Sequence, residues 1–300
     1  MKTTDFDQIL KWNSEGIIPG PKESEESFVK RALYLESFKE KVNEELQLTG
    51  EQEQISASIL GEALPEARRH YGIEPSFTPL FFSNEKLAPW HGGTSWIVQL
   101  EKDSPTAAFI QLKKCFFQKQ KALLYDRTEI IVHELSHIGR MAFECPAYEE
   151  IIAWSSSPKR FRRLIGPLFS SITETSIFVF ILLTLFMIDI MALFLGSPAL
   201  FEELQLLKLL PLLYLVYAGA RLLKKQRSFA KCRQNMQGIT RSEEKARAIV
   251  YRLTDEEISL FSKEKPSVIA RYIQESARHS LRWKIISQAY IPKVSQNLGF

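Results

Sequence analysis

The sequence predicts an α+β protein: a domain with a small antiparallel sheet and an active-site helix, a two-helix transmembrane hairpin, and a helical C-terminal region. Three observations predict it. Short β-rich runs between Pro75 and Leu112 precede a His-containing helical run. Two almost uncharged hydrophobic runs follow, at 177–195 and 204–220. The rest of the chain is polar, with apolar residues at helical spacing. On this pattern the chain divides into an acidic helical region (1–72), the sheet-bearing domain (73–165), the hairpin (168–223) and a helical cytoplasmic region (224–300).

In the first region Phe28, Ala32, Leu35 and Phe38 recur at three- and four-residue steps, one buried face of a helix over 24–46. A second helix is expected over 52–71. Residues 1–66 hold 14 acidic and 7 basic side chains, so the remainder carries +11 of the overall +4 balance. That mild net charge gives no reason to expect a nucleic-acid partner. In the second region 95–100 and 107–112 read as strands joined by a polar turn, a hairpin. Three widely spaced cysteines, Cys115, Cys145 and Cys232, argue against a disulfide scaffold. The N-terminus shows no apolar run after its first basic residue, so no signal peptide is expected.

The hydrophobic runs contain one charge each, Asp189 and Lys208. At about 1.5 Å per residue, each approaches the ~30 Å hydrocarbon core of a bilayer. Lys159, Arg160, Arg162 and Arg163 precede the pair, and Arg221, Lys224, Lys225, Arg227, Lys231 and Arg233 follow it. The link holds only Glu202 and Glu203 as charges. The positive-inside rule then predicts a hairpin through the cytoplasmic (inner) membrane with both termini in the cytoplasm. The basic flanks suit anionic lipid headgroups. Against insertion stand the two intramembrane charges, which are costly unless paired; Asp189 and Lys208 are expected to meet across the hairpin. The competing arrangement is a pair of buried helices in a soluble core.

The chemistry concentrates in His133-Glu134-Leu135-Ser136-His137, preceded by the aliphatic Ile130, Ile131 and Val132. Asp126 or Thr128 is placed to cap this helix and Glu129 to favour its first turn. Positions i and i+4 share a helix face, so His133 and His137 can converge on one ion. Neutral imidazoles suit Zn²⁺. Glu134, beside the first ligand, is placed to take a proton from the attacking water and pass it to a leaving amine.

This HExxH run resembles that of the zincin metallopeptidases. No Gly or His stands where a metzincin would need it, so the resemblance is to the gluzincin type. It implies a carboxylate ligand on a following helix. Glu150, with Ala153 and Trp154 after it, fits that pattern, and Glu149 is the alternative; they stand thirteen and twelve residues after His137. Glu144 is a weaker candidate. The resemblance further implies an edge strand that pairs with an extended peptide, either 95–100 or 107–112. His91 is a candidate transition-state donor, and Cys145 reads as a small hydrophobe. Arg127, Glu129 and Arg140 flank the motif, and the nearest apolar run begins some forty residues later, which puts the chemistry beside the bilayer.

The expected function is therefore a membrane-anchored, zinc-dependent metallopeptidase acting on a peptide or protein. Zn²⁺ would be held by His133, His137 and Glu150, and Glu134 would act as general base and acid. The alternative is a non-enzymatic, membrane-tethered adaptor with a structural or degenerate metal site.

Overall fold

Asp5 accepts a hydrogen bond from the Asp7 amide and opens α1 (Phe6–Ser14), which buries Ile9 and Trp12. The computed structural model describes residues 5–49, 57–88, 91–99, 104–122, 124–169, 171–194 and 204–292. Helix α2 (Glu25–Thr49) buries Phe28, Ala32, Leu35 and Phe38 completely, as their spacing requires. Helix α3 (Ala57–Tyr71) buries Ala63, Ala67 and Tyr71.

The sheet has three strands in the order β1 (Leu80–Phe82), β3 (Ala107–Leu112), β2 (Gly93–Val98). β2 and β3 form the expected antiparallel pair, with Ser95 opposite Ile110. β1 lies parallel to β3, a pairing that three residues give no pattern to foresee. Central β3 is buried almost throughout. Among the described residues β2 is an edge strand and β3 is central, so of the two strands expected above the site only β2 can accept another strand.

A turn of helix, α4 (Cys115–Gln118), and a two-residue ladder, β4 (Lys121–Ala122) with β5 (Tyr125–Asp126), lead into α5 (Arg127–Gly139). Asp126 caps α5 through the Thr128 amide at 3.0 Å. Helices α6 (Glu149–Trp154) and α7 (Arg160–Ile165) follow.

The two hydrophobic runs form α8 (Ile172–Phe194) and, after a 3₁₀ turn at Leu204–Leu209, the first third of α9 (Leu210–Thr240). Both are long and apolar enough to cross a membrane. A core helix of a soluble protein would be largely buried, but only 6% and 11% of these segments is. Phe180, Phe186 and Phe194 stand exposed by 61% or more. Two charge pairs bridge the helices. Asp189 meets Lys208 at 2.9 Å, as expected, and Glu174 meets Arg221 at 2.6 Å. Arg221 and Arg162 are thus not free for lipid headgroups: Arg162 pairs with Glu129 at 2.5 Å on α5.

Helix α9 continues unbroken past the apolar stretch and buries Cys232 and Met236 against the C-terminal helices. These are α10 (Glu243–Tyr251), α11 (Asp255–Phe261), α12 (Pro266–His279) and α13 (Leu281–Tyr290). Thr254 and Glu257 form a capping box at the start of α11. One hydrophobic core runs from Ile9 through the sheet and α5 to Ile291. Fully buried Arg252 ties its distant parts, donating to Asn13 Oδ1 (2.8 Å) and to the carbonyls of Tyr71 (2.9 Å) and Ala248 (2.7 Å).

Candidate metal centre

Helix α5 buries Ile131, Leu135 and Ile138 on its inner face, and this fixes the opposite face toward a cleft. His133 and His137 emerge there one turn apart, their Nε2 atoms 3.4 Å from each other. Helix α6 brings Glu150 to them: Oε2 lies 3.7 Å from His133 Nε2 and Oε1 3.6 Å from His137 Nε2. One donor atom from each of the three lies within 4.8 Å of the others, a group that can hold a metal ion. Two imidazole nitrogens and one carboxylate oxygen are donor types that suit zinc.

Glu149 stands behind the donors. Its Oε1 lies 3.1 Å from His137 Nδ1, on the far side of the ring from Nε2, and Oε2 accepts from Arg140 Nε at 2.8 Å. Arg140 is almost fully buried and also donates to the carbonyls of Tyr251 (2.5 Å) and Leu253 (3.1 Å). Carboxylate backing of this kind fixes the tautomer and orientation of a ligating imidazole. His133 lacks it: its Nδ1 is buried with no hydrogen-bond partner among the described residues, and its ring packs on Trp154 at 4.5 Å. Trp154 in turn offsets part of the upward push of burial on Glu150.

The electrostatics separate the three glutamates. Burial pushes Glu134 above the usual carboxylate range, against the pull of His137 and of hydrogen bonds from the Ser95 backbone and side chain. Burial likewise raises Glu150, with Glu134 and Glu149 adding repulsion. Burial would raise Glu149 too, but Arg140 and His137 overcome it and hold it below the usual range. Burial drives His133 well down, helped by His137. Burial also lowers His137, yet Glu149, Glu150 and Glu134 together lift it to about 9. This point in the fold favours positive charge, whether a proton or a metal ion.

The cleft, about 790 Å³, passes between edge strand β2 and α5. It takes in Ser95, His91, Cys145 and Trp154, and reaches Phe169 and Thr175 at the foot of the hairpin. Glu144 lines a different cavity. Sequence reasoning missed Ser95, Arg140 and Tyr251. A lone charge directly after the motif helix was a usable signal for Arg140; nothing local marks Tyr251, whose hydroxyl donates to the Ser136 carbonyl at 2.7 Å.

No family model matches the chain, and neither curated proteins nor solved structures give a significant match.

Proposed function

We propose that this chain is a zinc-dependent metallopeptidase anchored in a membrane by the α8–α9 hairpin, with its active site on the cytoplasmic side. The observation that carries the reading is the meeting of His133, His137 and Glu150 beside buried Glu134, beneath the open edge of β2. Zinc, when bound, supplies a Lewis acid that brings the attacking water to a pKa of about 7. With the metal held by His133, His137 and Glu150, Glu134 would act as the base for the attacking water and the acid for the leaving amine, a role suited by its raised pKa. Ser95 orients the Glu134 carboxylate, and the free edge of β2 pairs with the backbone of an extended substrate. Exposed apolar side chains along both long helices support the anchor.

Elemental analysis of detergent-purified chain is expected to give about one zinc per molecule, lost in His137→Ala. Glu134→Gln should keep the zinc and lose roughly 10²–10⁴-fold in hydrolysis of a peptide library. Absence of zinc after loading and washing, or full activity in Glu134→Gln, would overturn the proposal.

A further inference from the structure

A second cavity, about 280 Å³, lies behind α6, on the side of Ile152 and Ser155. Arg163 from α7, Arg233 from α9 and Arg247 from α10 converge on it, with His70 from α3. Among the described residues no carboxylate lines it. Glu66 and Glu243 reach His70 (3.5 Å) and Arg247 (3.6 Å) from outside the cavity and are half exposed, so they screen its charge weakly.

Three elements distant in sequence thus place three guanidiniums around one pocket, and a fourth adds His70. Arg163 also donates to the Ser157 carbonyl at 2.5 Å, but with only weak screening the three cations repel one another. Arg247 Nε is buried and has no hydrogen-bond partner among the described residues. The cation of Arg247 also helps burial to push His70 below its ordinary value.

We propose that this cavity binds a phosphate group. Planar guanidinium forks match phosphate oxygens in charge and in bidentate geometry. Ser155 lines the same wall, its hydroxyl donating to the Ile152 carbonyl at 2.6 Å. The group can come from a soluble phosphorylated molecule or from a lipid headgroup. Arg163 lies a few residues before the hairpin, while Arg233 lies about 20 Å along α9 beyond Ala220.

The test is calorimetric titration of the full chain in detergent micelles with inorganic phosphate. Saturable binding near one per chain is expected. Arg233→Ala and Arg247→Ala should each weaken it about tenfold, with Arg247→Lys intermediate. Arg227→Ala, on the same helix but outside the cavity, should leave it unchanged. Repeating the titration in phosphatidylcholine nanodiscs with and without phosphatidic acid separates the sources. Competition by phosphatidic acid assigns a headgroup, and unchanged affinity assigns a soluble ligand. Lack of saturable phosphate binding in micelles, or binding unaffected by both alanine variants, overturns the proposal. Neither result depends on the metal centre.

Discussion

Glu149 and buried Arg140 form a part-buried ion pair, Oε2 to Nε at 2.8 Å, directly behind the His137 ring. The adjacent Glu149 and Glu150 therefore do different work: one backs an imidazole, the other faces the ion position.

Exchanging each glutamate for glutamine separates the roles. Glu149→Gln should retain the metal but weaken its binding about 10–100-fold, the usual effect of losing an outer carboxylate. Glu150→Gln removes a donor and should lower the bound metal well below one per chain after washing. Competition with a chromogenic zinc chelator measures both. Equal retention by Glu150→Gln and loss by Glu149→Gln would reverse the assignment.

Metal binding should release a proton. His137 titrates at about 9, so at pH 7 its imidazole is charged, and Nε2 must lose that proton to act as a donor. Zinc affinity should therefore climb as pH rises toward 9 and level off above it. Titration calorimetry in two buffers of different ionisation heat should show about one proton released at pH 7 and less above pH 9. A pH-independent affinity across that window would refute the expectation.

Gly139→Ala tests the close approach of α5 to α10. Alanine usually favours a helix over glycine by about 1 kcal/mol. Here an added Cβ would run into the Tyr251 hydroxyl and lie 2.8 Å from Ile73 Cδ1. Overpacking typically costs about 1–3 kcal/mol, so destabilisation should win. Adding Tyr251→Phe to Gly139→Ala removes the obstructing oxygen and should recover part of the loss in thermal denaturation, although Tyr251→Phe alone destabilises.

The Asp189–Lys208 pair should show strong coupling. Replacing either residue alone with leucine strands a charge among apolar side chains, and both singles should melt lower in detergent. Replacing both should return stability to near wild type, since apolar substitution of a whole ion pair held out of water, here by detergent, is often neutral. Additive losses in the double variant would mean that the 2.9 Å contact carries no coupling.

Much of this organisation is legible from residue order because it is local. Asp126 as a cap, Thr254 with Glu257 as a capping box, and the Phe28–Phe38 stripe each depend on neighbours within a few positions. The hairpin is legible from hydropathy, and its Asp189–Lys208 pairing from the cost of an isolated charge. Metal donors on one helix, His133 and His137, follow from the helical period; Glu150 needed a resemblance because α6 meets α5 through tertiary packing. The outer partners lay out of reach. Arg140 finds the Tyr251 and Leu253 carbonyls more than a hundred residues away. Arg162 reads as a lipid-facing charge until α7 is seen folded against Glu129.

The carbonyls that hold Arg140 belong to Tyr251 and Leu253, beyond the hairpin. A ribosome making about 5–20 residues per second needs several seconds to travel from Glu150 to Leu253. During that interval the inner donors exist but the clamp behind them does not. The two long apolar helices precede Tyr251 and Leu253 in the order of synthesis, so a chain still being made has both of them before the carbonyls that hold Arg140 exist.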